Sequence, residues 1–116
     1  MNHSATFEVF HQAILAEQQI ICTYGGYSRE VCPYILGHTA GQEVVLVYQF
    51  GGTSARGLPA GGAWRCFYLE GIQDAASREG PWHGAAAHRT SQHCVEQVFI
   101  DVNKDVPNQP GRRNVC

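Results

Sequence analysis

The chain lacks most of the features that announce common functions. Five cysteines stand at positions 22, 32, 66, 94 and 116, and no two are spaced Cys-x-x-Cys. The paired ligand spacing of structural zinc sites is therefore missing. No apolar run approaches the ~20 residues of a membrane-spanning helix. The opening Met1-Asn2-His3-Ser4 runs straight into a mixed amphipathic stretch and has no leader pattern. These absences predict a cytoplasmic, membrane-free protein. Its odd number of thiols is expected to stay reduced and buried as small hydrophobes rather than to form a disulfide framework. Basic residues are few, with eight Lys and Arg against ten acids, a net charge of −2 and a pI near 6.3. Proteins that grip nucleic acid usually carry a basic face, so duplex DNA is disfavoured as a partner. No Gly-Lys-Ser/Thr follows the glycine-rich stretch, which excludes a P-loop. No Ser-His-Asp arrangement or matched pair of acids stands out for acid–base work. The expectation is no enzyme, no catalytic residue, no cofactor and no metal.

What is present suffices for one folded domain. The chain has 116 residues, 44% of them apolar and 16% charged, enough to bury a core without staples. We expect a single domain over 1–103 and a loose tail over 104–116, where Pro107, Pro110, Gly111, Arg112 and Arg113 show no apolar pattern. Residues 4–18 read as a helix, with Phe7, Phe10, Ile14 and Leu15 on one stripe. Ser4 or Thr6 can cap its start. Strand composition follows over 20–24, then a turn at Gly25-Gly26-Tyr27-Ser28 and a return strand over 30–36. Pro33 lacks an amide, so an edge or a bulge is expected there. Further strands are predicted over 43–50, 64–69 and 95–102, with 73–93 irregular. The long connection 51–63 holds five glycines and a proline, and loops of that length are often functional. The fold class is mainly β. A helix followed by five short antiparallel strands predicts a small SH3/Sm-like β-barrel with an N-terminal α-helix. Its expected core is Phe10, Ile14, Ile21, Val31, Leu46, Phe67, Leu69 and Ile100.

The order of parts carries a resemblance. Arg29-x-Val31-x-Pro33, then Gly41-x-x-Val44-Val45-Leu46-Val47-Tyr48, then Arg65-x-Phe67-x-Leu69-x-x-Ile72 resembles the WYL domain over about residues 10–72. The stretch Tyr48-Gln49-x-Gly51-Gly52-x-Ser54-x-x-Gly57 ahead of a tryptophan looks like a short, stand-alone branch. The resemblance implies an Sm-like, SH3-type barrel of the kind found in bacterial regulators, sensing a nucleotide or single-stranded nucleic acid. The tripeptide that names the family falls at Glu43-Val44-Val45, and Tyr68 and Gly71 stand at positions where the family carries basic side chains. The positions that carry over are Arg29, Pro33, Tyr48, Arg65 and Phe67.

Arg29 and Arg65 are the leading site candidates. Each lies on a predicted strand near an aromatic, and a guanidinium fork beside an aromatic face suits a phosphate with a stacked base. Tyr24, Tyr48 and Tyr68 are the expected stacking partners. Ser54 and Arg56 belong to the glycine loop, whose amides could cradle an anion. The plain alternative for each arginine is an exposed strand residue paired with Glu30 or Glu70. His83, His88, His93 and Cys94 lie within twelve residues, but their spacing matches no standard zinc finger. A polar loop without metal is the expectation. Two functions of different class follow. One is a non-enzymatic sensor module for a nucleotide, single-stranded nucleic acid or other small anion. The other is an interaction module for a protein partner or homo-oligomer without a small ligand.

Overall fold

A computed structural model of the protein describes residues 3–54, 57–84 and 94–102. The expected tail 104–116 lies outside these residues. Helix α1 spans Ala5–Ala16. Ser4 caps it: its Oγ accepts from the Phe7 amide at 3.1 Å, and its own N–H and Oγ donate to the Glu43 carboxylate at 3.0 and 2.6 Å. The strand Gln42–Gly52, which carries Glu43, thereby pins the helix start. The buried stripe is Phe7, Phe10, Ala13 and Ile14, while Leu15 lies at its margin, 36% exposed.

Six strands follow: β1 Gln19–Tyr24, β2 Tyr27–Thr39, β3 Gln42–Gly52, β4 Ala63–Tyr68, β5 Ile72–Arg78 and β6 Gln97–Asp101. A 3-10 turn, Leu69–Gly71, joins β4 to β5. The sheet is antiparallel throughout, in the order β4-β3-β2-β1-β5, with β6 also paired to β2. Its end strands β4 and β5 do not pair with each other, so the sheet stays open. The fold is mainly β. No helix of the described residues is long and apolar enough to cross a membrane.

The long strand β2 is the spine. β1 pairs with residues 27–31 of β2 and β6 with residues 35–38, end to end along one edge. Pro33 lies in the gap between them, beside a register shift at Pro33/Ile35. A residue without an amide is tolerated there, as the sequence led us to expect.

Several expectations need correction. The first hairpin turns on Gly25-Gly26 alone, with φ of 63° and 82°. Two successive positive φ values make a tight mirror-image turn that suits the twist of the strands. Cys22 therefore faces Arg29, and it is Ile20 that faces Val31. Residues 73–78 are not irregular but form β5. Ile21 points outward, 37% exposed, and Leu46 is half-buried; the inward positions beside them are Ile20, Val45 and Val47. Both misreadings fall in unbroken apolar runs, where alternation cannot tell one face from the other. The other six expected core residues are buried.

The thiols also differ from expectation. Cys66 and Cys94 form a disulfide with Cα atoms 5.8 Å apart, inside the usual range. Cys66 sits on the exposed side of β4, where the approach to β6 brings Cys94 against it. Cys22 and Cys32 are free and buried. Burial raises both thiols to a pKa of about 11, against the opposing pull of Arg29 on Cys22 and of the His83 amide and Arg78 on Cys32.

Candidate functional site

Register and alternation divide the sheet into two faces. One carries Ile20, Cys22, Tyr24, Tyr27, Arg29, Val31, Val47, Gln49, Arg65 and Phe67. The other carries Cys32, Tyr48, Trp64, Cys66 and Tyr68, and the segment after β5 crosses it. That crossing is fixed by Gln19 Nε2 donating to the Pro81 carbonyl at 2.6 Å, by the His83 amide on Cys32 Sγ at 3.3 Å, and by the Tyr34 hydroxyl donating to the His83 carbonyl.

Arg29 belongs to the first face and is only 7% exposed. Its Nε and Nη2 donate to the Tyr24 carbonyl at 3.3 and 2.9 Å, so the hairpin turn itself anchors the guanidinium. Its Nη1 donates to Gln49 Oε1 at 3.2 Å. The rings of Tyr24, Tyr27 and Phe67 surround it, with centroids 5.4 to 5.7 Å from Cζ. Tyr24 and Phe67 stack on each other at 4.2 Å. Gln49 is fully buried and works in two directions. Its oxygen holds Arg29, and its nitrogen donates to the carbonyls of Gly51 and Thr53 at 2.9 and 3.1 Å. The chain bends there because Gly52 takes φ 85° and packs its Cα on the Ser28 carbonyl; a Cβ would come within 2.2 Å of that oxygen. Only glycine fits this position.

Arg65 reaches the same place from β4. Its Nη2 lies 3.4 Å from Ser54 Oγ, and that hydroxyl in turn donates to the Gly57 carbonyl at 2.7 Å. Arg65 Nε is buried with no partner among the described residues. Neither arginine has a carboxylate within 4 Å among the described residues; Glu30 points to the other face, where it pairs with Arg78 at 2.7 Å. The two cations feel each other: burial first, and then the charge of Arg65, push the Arg29 pKa down. A buried charge normally has a partner. Here two guanidinium groups converge and no described residue supplies the opposite sign.

The structure thus brings together Arg29, Arg65, Tyr24 and Ser54. It does not bring Tyr48, which lies on the opposite face, packs against Trp64 at 5.1 Å and donates to the Gly61 carbonyl. Tyr68 is exposed on that opposite face too, and only its backbone amide meets the site, donating to the Tyr24 hydroxyl at 3.2 Å. Arg56 lies outside the described residues. The pairing of Arg29 with Glu30 does not form. Gln49 and Tyr27 are the members that sequence reasoning left out, and Phe67 joins the site from the expected core. Gln49 was the readable one: it is the only polar side chain besides Tyr48 in the run Val44–Phe50, at an inward position.

Two other places are set aside on chemistry. Of the histidine cluster, His83 stacks on Phe50 at 4.2 Å and Cys94 is in the disulfide. His88 and His93 lie outside the described residues, and no set of three metal-ligating side chains exists among the described ones. A cleft of about 480 Å³ lies at the start of α1, lined by His3, Ser4, Thr6, His38, Glu43 and Glu70 among others. It includes neither arginine, and its carboxylates are those of Glu43 and Glu70. Comparison with protein-family models, with curated proteins and with solved structures finds no match for the chain.

Proposed function

We propose that the protein is a non-enzymatic, WYL-like sensor module on an SH3/Sm-type barrel, binding a nucleotide or other small anion between Arg29 and Arg65. One observation carries the reading. Two guanidinium groups meet on one face of the sheet, one of them 7% exposed and the other with a buried Nε, and among the described residues that Nε has no partner and no carboxylate answers either group. An anion supplies what is missing, and Arg forks hold oxyanions by paired, charge-assisted hydrogen bonds. The Tyr24 ring, backed by the buried Phe67, and the exposed Tyr27 ring offer apolar walls for a base. The barrel reading is supported by a helix followed by five consecutive antiparallel strands, the fifth returning to the first.

The test is titration calorimetry with thymidine 5′-monophosphate at low salt, on the native chain and on Arg65→Gln. Binding that weakens roughly tenfold or more in the variant is expected, the size of one lost charge-assisted bond. Absence of binding to the native chain refutes the reading. The interaction-module reading is favoured by a different observation, the exposure of Val98 at 49% and Phe99 at 46% side by side on β6. Light scattering behind size-exclusion chromatography tests it, and a strictly monomeric chain counts against self-association through that strand.

A further inference from the structure

We infer that the arginine site takes a terminal phosphomonoester end-on and rejects the internal phosphodiesters of a strand. The inference rests on the anion reading above and narrows its ligand class.

Access comes first. Arg29 is 7% exposed, and three aromatic rings and the hairpin carbonyl occupy most of its surroundings. Arg65 Nε has no solvent-exposed surface to offer. An oxygen that reaches both groups must go inward past the tyrosines. A monoester does so with a single ester substituent trailing outward. A diester has two substituents, and both must leave through the same opening.

The donors fit the same ligand. A guanidinium has five N–H groups. Arg29 uses Nε, one N–H on Nη1 and one on Nη2, which leaves one on each terminal nitrogen without a described partner. Arg65 adds its Nε–H. At least three donors therefore stand open, matching the three non-bridging oxygens of a monoester; a diester has only two. Charge points the same way. A monoester carries about −1.5 to −2 at neutral pH and a diester about −1. Two cations without a carboxylate partner among the described residues are balanced by the former.

The experiment uses the full chain and three probes at low salt: thymidine 5′-monophosphate, a thymidine tetranucleotide with a 5′-phosphate, and the same tetranucleotide with hydroxyls at both ends. The two phosphate-ended probes should each bind at least tenfold tighter than the hydroxyl-ended one, the worth of an extra charge-assisted hydrogen bond. Whichever of the two binds tighter identifies the source as a free nucleotide or a strand end. Arg65→Gln, at a half-buried position, should bring the three probes within about threefold of one another. Equal binding of all three by the native chain overturns this inference and leaves the anion reading standing. Binding of none overturns both. A preference for the phosphate-ended probes that Arg65→Gln leaves intact, in a variant with native circular dichroism, overturns the assignment of the preference to this site.

Discussion

Removing the Cys66–Cys94 disulfide should cost the protein a large part of its stability. The bond closes a loop of 28 residues. For a loop of that length the chain-entropy relation gives about 3.5 kcal/mol at room temperature. Cys66 is exposed on β4, so replacing its sulfur opens no cavity and adds little to that figure. A domain of this size should lose about 14 °C in Tm for such a change. The measurement is urea unfolding of the native chain with and without reductant, beside the Cys66→Ser/Cys94→Ser double variant. The reduced chain and the double variant should agree, both with a lower midpoint. Their m-values should be higher, because the unlinked denatured state exposes more surface. The reasoning fails if the double variant lies within about 0.5 kcal/mol of the native chain, well below the predicted loss. It fails sooner if a thiol titration in denaturant, without reductant, finds four or five reactive thiols among the five cysteines.

Gln49→Leu should destabilise the fold by about 1–3 kcal/mol in urea melts, since it leaves an N–H of Arg29 unpaired in a buried place and takes a donor from the partly exposed carbonyls of Gly51 and Thr53; a loss under about 0.5 kcal/mol would remove Gln49 from the site's framework. The free thiols should make stability fall at alkaline pH. Their folded pKa of about 11 lies above the ordinary 9.0, so the unfolded chain ionises first; the stabilisation is whole below pH 9 and is lost as pH rises through 11, at most about 3 kcal/mol per thiol. Denaturant melts at pH 8 and 10.5 read it, and Cys22→Ala and Cys32→Ala should flatten the slope.

Much of this fold was legible, and the failures have physical causes. The helix declared itself because Phe7, Phe10 and Ile14 repeat at helical spacing and Ser4 stands where a cap is needed. β3 declared itself by its β-branched run. β5 did not, because Gln73-Asp74-Ala75-Ala76-Ser77-Arg78 has almost no apolar payload. It is a strand by backbone pairing to β1, with a bulge opposite Cys22 where Asp74 takes φ 56°. Aspartate tolerates that conformation, but nothing local demands it. The candidate site was half legible. Arg29 and Arg65 stood out as residues. Their convergence depended on the β2–β3 and β3–β4 registers, including the shift between Glu30 and Val31, which no local signal gives. Tyr48 was misassigned for the reason Leu46 was: one step along a strand changes the face. The disulfide was invisible, since the contact between Cys66 and Cys94 exists only after the chain has crossed the outer face.

The division of the β2 edge between β1 and β6 sets an order of assembly. Strands β1 to β4 form a run of neighbouring hairpins, each closing a short stretch of chain. β5 must return to β1, and β6 must find the far half of β2 from some sixty residues away. Contacts of low sequence separation form fastest. The first four strands should therefore gather as a unit while the chain is still being made, leaving the upper edge of β2 unfilled until residue 97 arrives. Amides of β2 near Leu36 and Gly37 should then gain protection from exchange later than those near Val31 during refolding, although both belong to one continuous strand.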